Sequence, residues 1–170
     1  MQNFQEFLEN SLQQNIKKLI PLTGGASADI NRIILENNNE LIVRRSLSKE
    51  QSVMAIPKKL EAKIQRIVKS NDAPVPKIIF EFSEDEDIGE GYVMEAIPGE
   101  TIPRKILRDD NYENVRSKLS FEIGRSLATI HQTKLDELND LDKVTFEESL
   151  KKLYLVYSSF EQPQPVFELA

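Results

Sequence analysis

Apolar residues recur at helical spacing from the start of the chain. Phe4, Phe7, Leu8 and Leu12 share one side and Asn3 stands where a cap is needed, so residues 3–15 predict a short amphipathic helix that covers an edge of the neighbouring strands. The period then shortens. Ile16, Leu19, Ile20 and Leu22 lead into Thr23-Gly24-Gly25-Ala26-Ser27, and Ile30, Ile33 and Ile34 lead into Asn37-Asn38-Asn39. That pattern predicts two strands joined by a glycine turn, then a tight Asn-rich hairpin into a third strand over residues 40–46. Pro57, with fixed φ and no amide hydrogen, suits the first turn of a helix. Beyond it Leu60, Ile64, Ile67 and Val68 form one apolar stripe that belongs on the sheet, where each side chain contributes roughly 1.5–3 kcal/mol before entropy is charged.

Asn71-Asp72-Ala73-Pro74-Val75-Pro76 ends that helix, because a residue before proline is driven out of the α region. Ile78, Phe80 and Phe82 then alternate as a fourth strand, Glu84-Asp85-Glu86-Asp87 with Gly89 and Gly91 turns the chain, and residues 92–96 return as a fifth. Pro98-Gly99 closes this unit. Val115, Leu119, Ile123, Leu127 and Ile130 then form a helical stripe, with Gly124 four residues before Ala128 allowing close packing, and Thr145 with Glu148 makes a capping box for a helix carrying Leu150, Leu153, Tyr154, Tyr157 and Phe160. The expected fold is α+β: a five-stranded antiparallel sheet with one packed helix, followed by the first helices of an incomplete α-helical lobe. Residues 1–99 form the first domain and 100–170 the start of the second. Val166-Phe167, after Pro163 and Pro165, has the character of another helix beginning, so the chain is expected to be an amino-terminal fragment.

Composition narrows the partners. A net charge of −6 without a long basic run argues against nucleic acid and against an anionic membrane surface. There is no cysteine, hence no disulfide framework or thiolate metal site, and the start lacks the basic segment and apolar run of a signal peptide; a cytoplasmic location is the expectation. The acidic loop 84–87 lacks the spacing of a calcium-binding loop and reads as a solvated turn.

Chemistry concentrates in residues 41–61. Strand alternation puts Ile42 and Arg44 on one face and Leu41, Val43 and Arg45 on the other, so only one arginine shares the side of Ile42. Glu61 lies near the N-terminal end of the next helix, where the dipole favours a carboxylate, and within reach of an ion pair with Arg44 that would orient a guanidinium for phosphate. Gly24 and Gly25, followed by small Ala26 and Ser27, would let backbone N–H groups approach a phosphate closely, although the turn has neither the P-loop nor the dinucleotide-binding pattern. His131, the chain's single histidine, ends a helix beside an apolar face, a place for capping or packing.

In order, Leu22-Thr-Gly-Gly-Ala-Ser27, Leu41-Ile-Val-Arg-Arg45, Leu60-Glu-Ala-Lys-Ile-Gln65, Ala73-Pro-Val-Pro-Lys77, Gly91-Tyr-Val-Met-Glu-Ala-Ile-Pro-Gly99 and Leu127-Ala-Thr-Ile-His131 resemble the aminoglycoside phosphotransferase and choline-kinase-like family, whose amino-terminal lobe is a relative of the protein kinase small lobe. The resemblance implies that Gly24, Gly25, Ala26 and Ser27 lie over ATP phosphates and that Arg44, paired with Glu61, stands in place of the family's strand lysine. It implies that Met94 lines the back of the adenine pocket and that the backbone of Glu95 and Ile97 meets the adenine edge; if the Arg44 face of the strand holds a nucleotide, Ile42 packs on its base. Arginine for lysine is a departure, since a planar fork and a point ammonium bind phosphate differently, and Arg45 is a possible substitute. The family's His-Gly-Asp loop does not occur: His131 is followed by Gln132-Thr133. The implied activity is transfer of the ATP γ-phosphate, with Mg²⁺, to a hydroxyl of a small substrate, with the catalytic Asp and the Mg²⁺ ligands expected beyond residue 170 and the chain inactive by itself. The alternative is a non-catalytic nucleotide-binding or interaction module built on the same lobe.

Overall fold

In the computed structural model, which describes residues 3–22, 29–47, 56–83, 87–134, 136, 138, 139, 141 and 144–160, helix α1 (Phe4–Leu12) begins where Asn3 accepts a hydrogen bond from the Gln5 amide. Glu9 then ties the helix to the sheet, its carboxylate accepting the Ile16 N–H at 2.9 Å. Five strands come next: β1 (Ile16–Pro21), β2 (Asp29–Leu35), β3 (Glu40–Ser46), β4 (Ile78–Ser83) and β5 (Glu90–Glu95). They form one antiparallel sheet in the order β1-β2-β3-β5-β4, with helix α2 (Lys58–Ser70) between β3 and β4 in sequence. The Asn-rich turn works through its side chains. Asn38 adopts a left-handed φ of 62°, which asparagine tolerates, and Asn37 accepts the Asn39 N–H at 2.9 Å.

Both faces of this sheet are used. Leu8, Ile33, Val43 and Val93 are fully buried on one face with Ile16, Leu35, Phe82 and Ile88, and Phe4, Phe7 and Leu12 pack over them. The amphipathic first helix therefore does more than cover an edge: Leu8 sits in the centre of the larger core, and Phe7 meets Phe82 edge-on at 5.2 Å. On the other face Ala62 of α2 lies against Ile78, Tyr92 and Met94. A bulge between Ile78 and Phe80 in the pairing with β5 allows β4 to serve both faces, sending Ile78 towards α2 and Phe80 and Phe82 towards α1.

Helix α2 departs from its expected stripe. Ile67 and Val68 are buried, yet Leu60 and Ile64 are only half-buried, and the deepest positions are Ala62 and Lys58. Turning Glu61 and Gln65 to the sheet rotates the helix so that the small side chain of Ala62 permits close approach. Pro57 offers no side-chain cap, and the carboxylate of Glu90 on β5 accepts the Lys59 N–H at 2.8 Å instead. Gly91 is the closest point of the sheet: a Cβ there would stand 2.6 Å from the Arg44 carbonyl oxygen and 2.6 Å from the Phe82 ring.

By their contacts, residues divide into two units, Met1–Glu137 and Leu138–Ala170. The first also holds α3 (Pro103–Arg108), a short 3₁₀ turn (Asp110–Tyr112) and α4 (Glu113–His131). Arg116 joins these, donating to the carbonyls of Ile106 and Asp109 at 3.2 and 2.7 Å. The predicted stripe lies on α4, but Val115, Ile123 and Leu127 are exposed, and Gly124 faces open space instead of a close neighbour. In the second unit α5 (Phe146–Ser159) starts at the expected capping box, Thr145 and Glu148 each receiving the other's backbone N–H. No helix among the described residues is long and apolar enough to cross a membrane.

Candidate functional site

Arg44 and Glu61 meet. The guanidinium Nε donates to Glu61 Oε2 at 3.0 Å, and the side chains are only 23 % and 21 % exposed, so this is not a surface pair free to disengage. Strand pairing places Arg44 opposite Tyr92, whose hydroxyl donates to the same oxygen at 3.2 Å. The other oxygen, Oε1, is taken by Lys58 Nζ at 2.7 Å from one turn earlier on α2. Glu61 thus holds three donors. The terminal nitrogens of Arg44 make no hydrogen bond among the described residues, so the forked end of the guanidinium remains available.

Electrostatics reflect this crowding. Burial by itself raises the Glu61 carboxyl, but the hydrogen bonds and charges of Arg44 and Lys58 outweigh it and hold the group below the ordinary carboxylate range. For Arg44, burial favours the neutral form and Glu61 outweighs it, so the guanidinium is raised above its ordinary value. Burial, reinforced by the Glu61 charge, pushes the Tyr92 hydroxyl up to about 12. A depressed carboxyl contributes stability that is present above its ordinary value of 4.5 and is lost as pH falls through the lower folded value. A raised phenol contributes stability that is complete below 10.0 and is lost as pH rises towards about 12. Urea unfolding across pH is expected to show a shallower acid limb in Glu61→Gln and a shallower alkaline limb in Tyr92→Phe than in the parent; limbs parallel to the parent's in both variants would remove the cluster from the pH response.

The half of the sheet face that α2 leaves lies over β1, β2 and β3. Strand pairing puts Ile20, Ile30, Arg32, Ile42 and Arg44 on it together, and Leu22 continues the row through its N–H to the Ile30 carbonyl at 2.8 Å. Ile20 and Leu22 are 37 % and 43 % exposed, and the face is mixed: the Arg32–Glu40 ion pair lies between Ile20 and Ile42, with Arg44 at the α2 border. Met94 stands opposite Ile42 and is steadied by Gln65, whose amide reaches the Met94 sulfur at 3.7 Å and the Pro76 carbonyl at 2.7 Å. Ile97 is exposed two residues past the end of β5. Glu95 already donates its N–H to the Lys77 carbonyl at 2.9 Å, which leaves that donor unavailable to a ligand.

Arg45 belongs elsewhere. It points to the α1 face, donating through Nε to Asp29 at 2.7 Å and lying 3.5 Å over the Phe4 ring. Gly24, Gly25, Ala26 and Ser27 lie outside the described residues. Among the described residues no group of three or more His, Asp or Glu is placed to hold a metal ion.

Ile20, Leu22, Lys58, Gln65, Glu90 and Tyr92 join the site without having been singled out by sequence pattern. Ile20 carries a signal: with Leu19 beside it, the end of β1 is apolar on both faces although only one is covered by α1, and Leu22 just past the strand continues the Ile20 row. Lys58 carries none, since a lysine at the start of a helix ordinarily reads as solvated.

A family model, the phosphotransferase enzyme family, matches residues 18–166. No curated protein matches the sequence.

Proposed function

The chain belongs to the phosphotransferase enzyme family, and we propose that it binds ATP at the Arg44 border of the open sheet face, as the nucleotide-binding part of a kinase-like phosphotransferase acting on a hydroxyl of a small substrate. The observation that carries the reading is the Arg44 guanidinium, fixed through Nε by Glu61, whose fork makes no hydrogen bond among the described residues and lies on the face of exposed Ile20 and Leu22. A fork of that kind suits two phosphate oxygens at once. Adenine then lies on the Ile20, Ile30, Ile42 and Met94 side, with the carbonyl of Glu95 and the N–H of Ile97 at its edge, and Gly24, Gly25, Ala26 and Ser27, outside the described residues, are assigned to the phosphates by resemblance to the family. In this reading residues 1–99 are the nucleotide lobe and 100–170 open the helical one, and the protein works in the cytoplasm.

A second reading is a nucleotide-binding or interaction module without chemistry; it is kept because the single histidine, His131, is followed by Gln132-Thr133, so that no His-Gly-Asp occurs within these 170 residues. Both readings give the same first result for the 170-residue chain: saturable ATP binding by titration calorimetry, with no phosphate released or transferred when ATP, Mg²⁺ and a panel of alcohols and aminoglycosides are supplied. Absence of ATP binding would sink both readings. Turnover by this chain would place a catalytic base within the 170 residues and remove the second.

A further inference from the structure

Lys58 is the least expected member of the cluster. It is 3 % exposed at the first residue of α2, where the helix dipole disfavours a cation, and its single hydrogen-bond partner among the described residues is Glu61 Oε1, at 2.7 Å. Burying an ammonium costs several kcal/mol unless its pairing is good, so a lysine retained here needs a reason beyond solvation.

Its effect on Arg44 supplies one. An arginine beside a free carboxylate tends to take both oxygens in a two-bond pair. Here Lys58 occupies Oε1 and Tyr92 shares Oε2, and among the described residues Arg44 makes its single Nε bond. Two cations on one carboxylate also leave the cluster with one excess positive charge inside a half-buried site, which an anion would neutralise.

We propose that Lys58 is a positioning residue of the phosphate site: by occupying the far oxygen of Glu61 it confines Arg44 to one bond and keeps the guanidinium fork free for the polyphosphate of a nucleotide. The inference rests on the ATP reading above. It adds selectivity, because a free fork rewards ligands that offer paired phosphate oxygens and does nothing for a nucleoside.

The test uses the 170-residue chain and Lys58→Met, which keeps the length of the lysine stem and removes the ammonium, with ATP and adenosine as probes in titration calorimetry. In the variant Arg44 takes both oxygens of Glu61, and ATP affinity falls about tenfold, as expected for one charge-assisted bond, while adenosine affinity stays within about twofold. Equal losses for the two ligands, or an unchanged ATP affinity, overturn the proposal while leaving the ATP site standing. A parent chain that binds neither ligand overturns the ATP reading, and this inference with it. Should the variant fail to fold, the parent decides: with ¹⁵N-arginine labelling, assigned by loss of a signal in Arg44→Lys, the Arg44 Nε–H stays protected from exchange when tripolyphosphate is added. Loss of that protection would show the phosphate taking the Nε edge and would overturn the proposal.

Discussion

Arg44→Ala is expected to weaken ATP binding by about a hundredfold or more while leaving adenosine within about twofold. The magnitude comes from the free fork: two charge-assisted hydrogen bonds to phosphate oxygens are worth roughly 1.5–3 kcal/mol each. The fold should tolerate the change. Glu61 retains Lys58 and Tyr92 as donors, so the carboxylate is not left unpaired in a half-buried site, and the expected loss of stability is about 1 kcal/mol. Arg44→Lys should recover part of the affinity, since an ammonium supplies the charge without the paired geometry. Arg45→Ala is the matched control on the same strand. It removes the bond to Asp29 and the contact with Phe4 on the opposite face, so it should cost stability and spare ATP affinity. Calorimetric titrations of the three variants that gave Arg44→Ala the parent's ATP affinity would take the phosphate site away from this residue.

Leu8→Ala should cost about 2–5 kcal/mol, the range for emptying a fully buried leucine site. Leu8 is 0 % exposed and packs among Ile16, Ile33, Val43 and Val93, so its removal opens a hole on the reverse side of the strand that carries Arg44. Urea unfolding of the variant measures the loss directly. A cost below about 1 kcal/mol would mean that α1 is a detachable cover. The consequence extends to the site. Val43, buried against α1, and Arg44 are consecutive on β3, so packing of the first helix bears on where the Arg44 guanidinium can stand.

Much of this is legible along the chain because it is local. Helix starts at Asn3 and Thr145 depend on a side chain reaching an amide two or three residues away, and the hairpin at Asn37–Asn39 depends on asparagine tolerating a left-handed φ. Alternation on β3 separates Arg44 from Arg45 by parity alone, and their partners on opposite faces result from it. Where pattern misleads, the cause is rotation and company. An apolar stripe at 60, 64, 67 and 68 gives the side a helix prefers to bury, but α2 rolls towards Lys58, Glu61, Ala62 and Gln65, because a small residue and a paired carboxylate facing the sheet allow closer approach than leucine and isoleucine do. Likewise the α4 stripe has the right period, yet among the described residues nothing buries Val115, Ile123 or Leu127. Periodicity states which residues want a partner and cannot state where one is.

Spacing and residue type were enough for the five strands, the helices around residues 4–12 and 58–70, the faces of Arg44 and Arg45, and the family to which the order of motifs belongs. Each of those properties is set within a few residues of chain or by the order of such stretches. Packing had to be seen to learn that Leu8 is central and not peripheral, that Glu90 of β5 caps α2, and that Lys58, an ordinary residue by position, shares the carboxylate of Glu61 and leaves the fork of Arg44 unspent. One physical reason covers all three. These contacts join residues brought together only when the sheet closes and α2 docks, and the strength of a charge or an apolar group depends on its surroundings after water has been removed.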